Sequence, residues 1–179
     1  MYHRMLASVL IAATFAPAAL ASQIETFHAT LSGFNETGAL NNETGAILSD
    51  GSGTLELKLD RSAQTVSFTL TFANLSAPVT QSHIHFGKVH MAGGVMVFFC
   101  SNLGNGPAGT QACPANGGTV TGTITAASVL PITGQHVTAG DFDALADALE
   151  SHTAYVNVHT TNFPAGEVRG EIRHGARDD

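Results

Sequence analysis

The sequence predicts an all-β protein, an antiparallel Greek-key β-sandwich or flattened barrel of about eight short strands with one short helix. Apolar and polar residues alternate in several short runs, which places successive side chains on opposite faces of a strand. Turn-forming residues separate these runs. Only one segment, near residues 141–150, has the spacing of an amphipathic helix. Together these observations favour a β-rich fold.

The first 21 residues have the features of a secretory signal peptide. Arg4 precedes an apolar run over residues 5–20, and Ala19-Leu20-Ala21 has the small-x-small pattern of a cleavage site. The apolar run is too short and too poorly flanked for a membrane span. We therefore expect one domain over residues 22–179, without a membrane span, in a secreted or periplasmic protein.

The alternating runs define the predicted strands. In chain order they cover residues 23–31, 54–60, 65–73, 79–87, 95–100, 118–125, 155–160 and 167–173. A four-residue turn, 61–64, joins the second run to the third and predicts a hairpin. The fifth run is almost continuously apolar, so it is either covered on both sides or lies at a closing edge. In the last run Val168 and Ile172 face inwards, whereas Arg169 faces outwards.

The predicted helix occupies residues 141–150. Its apolar residues recur with helical spacing, at positions Phe142, Leu145, Ala146 and Leu149. Asp141 and Asp143 lie at its start, where the helix dipole favours negative charge. Thr138 is the predicted cap.

Charge and cysteine content restrict the class of protein. Once Arg4 is removed, six basic residues face fourteen acidic ones, a net charge of −8. This charge argues against nucleic acid or anionic lipid as a partner. Cys100 and Cys113 are the two cysteines, and in an exported chain they predict a disulfide rather than thiolate metal ligands.

Two of the alternating runs carry histidines. His83 and His85 occupy alternate positions of one run, with apolar neighbours on the opposite face. His159 lies in a later run in which Val156 and Val158 form the apolar face. If the apolar faces point into the core and the strands are neighbours, three imidazoles converge on the outer surface of the sheet. This is the arrangement of a three-nitrogen metal site with an open position.

Imidazole nitrogens suit both copper and zinc, and the affinity order places Cu(II) above Zn(II). Copper is therefore the first expectation and zinc the second. His90 and Met91 follow the first histidine strand. Either they lie in an exposed loop without a function, or they supply a further donor, in which case a thioether would favour Cu(I).

Several motifs occur in a characteristic order. They are Leu31-Ser32-Gly33-Phe34-Asn35-Glu36, Gly51-Ser52-Gly53-Thr54, Ser82-His83-Ile84-His85, Tyr155-Val156-Asn157-Val158-His159-Thr160 and Gly166-Glu167-Val168-Arg169-Gly170-Glu171-Ile172. In this order they resemble chordin-type (CHRD) domains over essentially residues 23–173. The resemblance implies an extracytoplasmic β-sandwich and carries no enzymatic activity. The segment that bears the cysteines and the predicted helix depart from the common pattern.

A more distant resemblance is to copper/zinc superoxide dismutases. In those enzymes a His-x-His strand and a later Val-His strand supply copper ligands, and His83, His85 and His159 would match them. The bridging histidine, the zinc-loop ligands and the bridging aspartate have no counterparts in this chain.

Three functions follow as hypotheses. The first is an exported protein that holds or delivers a metal ion. The second is a dismutase-like copper oxidoreductase, in which Arg169 would act near the site as a guiding cation. The third is a metal-free module that binds another exported protein or the matrix through its loops. Glu36 and Arg169 lie in the family motifs, and both could act near the histidines. The alternative for Arg169 is a surface ion pair with Glu167 or Glu171, which would contribute little to stability.

Overall fold

The computed structural model describes residues 24–37 and 45–175, so the predicted signal peptide lies outside the described residues. Strands dominate this part of the chain. They are β1 (Ile24–Ser32), β2 (Ser52–Asp60), β3 (Thr65–Ala73), β4 (Val79–Phe86), β5 (Gly94–Ser101), β6 (Gly118–Thr125), β7 (Ala154–Thr160), β8 (Val168–Glu171) and β9 (Arg173–His174). One α-helix, α1 (Phe142–Glu150), precedes β7. The prediction of a β-rich fold with one short helix is confirmed.

The alternation of apolar residues produces these strands by burying one face of each. In β2, the leucines at 55, 57 and 59 are buried, whereas the residues between them are exposed. The predicted hairpin is confirmed, because β2 pairs antiparallel with β3 along its whole length. The last predicted strand, by contrast, is two strands. β8 pairs with β7, and β9 leaves that ladder to pair with β1.

The strands form one antiparallel sheet in the order β5-β4-β7-β8-β1-β2-β3-β6. β5 and β6 approach each other and nearly close the sheet into a barrel. Around that barrel the connections from β3 to β4 and from β6 to β7 each pass over two strands, which is the Greek-key pattern. The seam between β5 and β6 contains a cavity of about 210 Å³, lined in part by Phe68, Phe98 and Phe99. β5 therefore lies at the closing edge of the sheet, which is one of the two positions predicted from its apolar sequence.

Helix α1 adds its apolar face to the core. Leu145 and Leu149 are fully buried. The cap is Asp141 rather than the predicted Thr138, since the Asp141 side chain accepts a hydrogen bond of 3.0 Å from the Ala144 amide. On the polar face, Arg61 of the β2–β3 turn pairs with acidic side chains of α1. No helix in the described part is long and apolar enough to cross a membrane.

Cys100 and Cys113 form a disulfide, as predicted, with their Cα atoms 5.0 Å apart. The bridge ties the end of β5 to the segment that leads into β6. Asn102 reinforces this connection, because its side-chain oxygen accepts from the Cys113 amide at 3.0 Å and its side-chain nitrogen donates to the Cys113 carbonyl at 3.1 Å. The loop next to the barrel seam is therefore fixed at both ends.

Replacing both cysteines, Cys100→Ala with Cys113→Ala, should lower the free energy of unfolding by about 3 kcal/mol. The bridge closes a loop with a sequence separation of 13 residues. The chain-entropy model assigns roughly 3 kcal/mol to a loop of that size. Urea denaturation of the variant and of the wild type, each with and without reductant, measures the difference. Reductant should affect the wild type alone, and equal stability of all four samples would contradict the prediction.

Candidate metal centre

Strands β4 and β7 are antiparallel neighbours, which confirms that the two histidine strands lie side by side. His83 is opposite Asn157, and His85 is opposite Tyr155. On the other side of β7 lies β8, where Arg169 is opposite Asn157. The inward positions of these strands are apolar and fully buried; they include Ile84, Val156, Val158 and Val168. This inward packing fixes the polar side chains on the outward face.

The three predicted histidines are close together. One ring nitrogen from each of His83, His85 and His159 lies within 4.8 Å of the others. His83 Nδ1 is 3.1 Å from His159 Nε2. Donors about 2.0–2.1 Å from one ion, at angles of about 90–109°, are about 2.9–3.4 Å apart. The closest pair of rings therefore has the spacing that a shared ion requires.

The histidines are buried, and the expectation of a site on the outer surface is wrong in this respect. The exposed fractions of His83, His85 and His159 are 2, 8 and 6%. Their side chains do point away from the barrel core, but loops fold over that face. The alternation within each strand predicts only which face a side chain takes. It does not predict whether loops cover that face.

Three loops form the cover, over residues 33–37, 87–93 and 163–167. The first contributes Asn35, whose side chain donates to the Arg169 carbonyl at 3.2 Å. The second loop provides the Gly93 carbonyl to His85, and the third provides the Pro164 carbonyl to His159. Because backbone and side-chain groups of these loops satisfy many of the polar groups on this face, the penalty for burying it is reduced.

Backbone carbonyls orient two of the three rings. His85 Nδ1 is 2.9 Å from the Gly93 carbonyl, and His159 Nδ1 is 2.9 Å from the Pro164 carbonyl. An Nδ1–H that donates to a carbonyl leaves Nε2 with its lone pair, which is the form that metal-ligating histidines adopt. His83 differs, since its Nε2 is buried without a hydrogen-bond partner among the described residues.

Burial keeps all three rings neutral. Desolvation, with the neighbouring His159 and His85, lowers the pKa of His83 to about 2. Desolvation also lowers the pKa of His159 to about 4, against the opposing hydrogen bond to Pro164. The pKa of His85 is lowered for the same main reason. Neutral imidazole is the state that binds a metal ion, so no proton competes for the nitrogens at neutral pH.

Arg169 faces the same side as the histidines, as predicted, but it is 1% exposed and not a surface residue. Its guanidinium lies 3.3 Å from the centre of the Tyr155 ring, and that ring stacks on His85 at 4.7 Å with an angle of 4°. It donates to Glu171 at 2.9 Å. Arg169 therefore supports the ring of His85 through Tyr155, because a cation over an aromatic face is attractive.

The two further donors suggested by the sequence do not join the cluster. His90 is exposed and is not one of the grouped ring nitrogens. Met91 is 60% exposed, and it is its backbone carbonyl that turns inwards, to accept a hydrogen bond from Arg169 at 3.1 Å. The loop has its own conformation, with a positive φ of 62° at His90, so the strand alternation does not continue through it.

Two further residues lie at the cluster: Asn157, which the sequence pattern did not single out, and Glu36, which the family motifs suggested could act near the histidines. Asn157 shares the face of His159, and its Oδ1 is 2.9 Å from His159 Nε2. Glu36 is 8% exposed, and burial raises its pKa to about 7, although Arg169 lowers it. The alternation in β7 already places Asn157 on the same face as His159. The closeness of Glu36 agrees with the expectation from the family motifs, although the loop that carries it gives no periodic signal.

Comparison with known proteins identifies one family. A family model described as the CHRD domain matches residues 27–172. Among curated proteins and among solved structures, nothing matches the chain significantly. The dismutase resemblance therefore gains no support from known structures, and any argument about function rests on the geometry of the cluster.

Acid should destabilise the metal-free protein below pH 6.5. The unfolded chain then protonates His83 and His159, whereas the folded chain, with their pKa values lowered to about 2 and 4, does not. Each should remove about 1.4 kcal/mol per pH unit between pH 6.5 and 4.5. Urea denaturation at pH 7.5, 5.5 and 4.5, after chelation, measures this loss.

Glu36→Gln provides the control for that experiment. The folded pKa of Glu36 is raised to about 7, so its protonation adds stability as the pH falls from 7 to 4.5. Without that compensation, the loss on acidification should be steeper in the variant. A free energy of unfolding that is unchanged by pH in both proteins would show that the histidines are not held neutral.

Proposed function

The chain belongs to the CHRD-domain family, and we propose that it binds one transition-metal ion through His83, His85 and His159. Copper is the first candidate and zinc the second. The task we propose is to hold or deliver the ion. The observation that carries this proposal is the convergence of three neutral ring nitrogens within 4.8 Å in a buried position.

The chemistry of the donor set supports the proposal. Three imidazoles without a thiolate suit copper and zinc, and Cu(II) ranks above Zn(II) at a nitrogen site. Backbone carbonyls lie 2.9 Å from Nδ1 of His85 and of His159, which directs the Nε2 atoms of both rings to the cluster. His83 faces them from the neighbouring strand through Nδ1. A bound copper ion would be a redox-active Lewis acid. The histidines would position it, and the loops would exclude water.

Holding is favoured over turnover by the environment of Arg169. A dismutase-like enzyme needs a cation that attracts its anionic substrate from solvent. Arg169 is 1% exposed, and its guanidinium donates to Glu171, Thr37 and the carbonyls of Met91 and Lys88. With its hydrogen bonds used in this way, it supports the fold around the cluster. We therefore do not propose dismutation.

Export forms part of the same proposal. The signal-like segment over residues 1–21 supports it, and so does the disulfide between Cys100 and Cys113, because disulfides persist in oxidising compartments. A protein that works outside the cytoplasm would meet its metal ion there and would retain it beneath the loops.

The purified protein should bind one Cu(II) ion per chain, and His85→Ala and His159→Ala should each weaken that binding by at least about 100-fold. Each substitution removes one of three nitrogen donors and leaves two. Competitive titration with a chromophoric chelator gives the affinity, and elemental analysis gives the stoichiometry. Circular dichroism of the metal-free variants reports whether they fold.

His28→Ala is the matched control, because His28 is an exposed histidine on β1. It should bind copper as the wild type does. Copper stoichiometry and affinity that are unchanged in His85→Ala and His159→Ala would remove the proposed site. A loss of equal size in His28→Ala would instead show that copper binds generally to exposed imidazoles.

A further inference from the structure

Asn157 lies at the centre of the histidine cluster. Its side-chain oxygen, Oδ1, is 3.1 Å from His85 Nε2 and 2.9 Å from His159 Nε2. The residue is 3% exposed and is paired with His83 across the β4–β7 ladder. One amide oxygen thus contacts two of the three rings and stands opposite the third.

These contacts bring together more acceptors than hydrogens. A neutral imidazole has one N–H, but His85 and His159 each face two acceptors, a backbone carbonyl at Nδ1 and Asn157 Oδ1 at Nε2. In either tautomer, therefore, one contact of each ring joins two acceptors with no hydrogen between them. With the hydrogens at Nδ1, both Nε2 lone pairs point at Asn157 Oδ1. Buried acceptors in mutual contact repel one another, and a cation among them removes the repulsion.

The far side of the Asn157 amide agrees with this orientation. Its nitrogen, Nδ2, lies beside Gly166, and Glu36 Oε1 lies beside the same glycine. A Cβ at Gly166 would lie 2.9 Å from Nδ2 and would clash with Glu36 Oε1, so the absence of a side chain permits this approach. Glu36 Oε1 is buried and has no hydrogen-bond partner among the described residues. The nitrogen of the amide is thus on the side of Gly166 and Glu36, and its oxygen is on the side of the histidines.

We infer that Asn157 Oδ1 is a fourth protein donor to the ion, and that it makes the site select a divalent ion over Cu(I). This inference rests on the proposed function. The separations of 2.9 and 3.1 Å fall in the range for two donors about 2.0–2.1 Å from one ion. An amide carbonyl is a hard donor, whereas Cu(I) prefers thiolate and thioether sulfur. The oxygen of Asn157 would therefore favour Cu(II), whereas a thioether donor from Met91 would have favoured Cu(I).

Replacing the amide tests the inference. Asn157→Leu keeps the approximate size of the side chain and removes the oxygen donor. Asn157→Asp keeps the oxygen and adds charge. We expect Cu(II) affinity to fall by about 10–100-fold in the leucine variant, and Cu(I) affinity to change by less than about threefold. The aspartate variant should retain or tighten Cu(II) binding. Competition titrations with chelators specific for each oxidation state give these ratios.

Electron paramagnetic resonance of the Cu(II)-loaded proteins adds an independent measurement. The g values and copper hyperfine splitting of Asn157→Leu should differ from those of the wild type, because the donor set has changed. Asn162→Leu is the matched control, since Asn162 is an exposed asparagine in the turn after β7. Its affinities and spectrum should equal those of the wild type.

The outcomes separate this inference from the proposed function. If the wild type binds Cu(II) and Asn157→Leu binds both oxidation states equally well with an unchanged spectrum, Asn157 is not a donor and the three-histidine site stands. If the wild type binds no metal ion, the proposed function and this inference both fail. If Asn157→Leu does not fold, Asn157→Asp decides: a parallel loss of Cu(I) and Cu(II) affinity overturns the inference.

Discussion

The register of β4 against β7 is the constraint on which the site depends. Ile84 on one strand and Val156 and Val158 on the other pack into the barrel, so the residues between them must face outwards. A slip of one residue would place histidines among packed aliphatic side chains and leave valines outside. The hydrophobic core therefore fixes the position of the polar cluster, although it contributes no atom to it.

A polar face buried beneath loops is costly unless each group finds a partner, and most of the groups here do. Carbonyls of Gly93 and Pro164 accept from two of the rings, and Glu171 pairs with Arg169. Of the four buried side-chain atoms that lack partners among the described residues, three lie at the cluster or next to it, namely His83 Nε2, Glu36 Oε1 and Glu171 Oε2, and the fourth, His152 Nδ1, lies elsewhere. Unsatisfied buried atoms concentrate where a protein sacrifices stability for function.

Sequence reasoning succeeded where periodicity carried the information. The alternation in residues 54–60 and 65–73 predicted a hairpin, and the alternation around His83 and His159 predicted neighbouring polar faces. It failed where the answer lay in loops, because the cover that buries the histidines consists of irregular segments whose conformation follows no repeat. The exposed position of Met91 was one of two alternatives that the sequence left open, and the expectation that Glu36 lies near the cluster came from the family motifs rather than from periodicity. The alternation in β7 predicted the face on which Asn157 lies, but only the structure shows that its side-chain oxygen contacts two of the histidine rings.

The side chain of Arg169 connects two of the covering loops. It donates to Thr37 in one loop and to the carbonyls of Lys88 and Met91 in another. Opening either loop breaks hydrogen bonds to Arg169, so one side chain contributes to holding both loops in place. Lid openings in proteins take microseconds to seconds, and their rate is set separately from the affinity of the site beneath them. If an ion binds at the three histidines, as we propose, its release rate would depend on the hydrogen bonds of Arg169 as well as on the strength of its coordination.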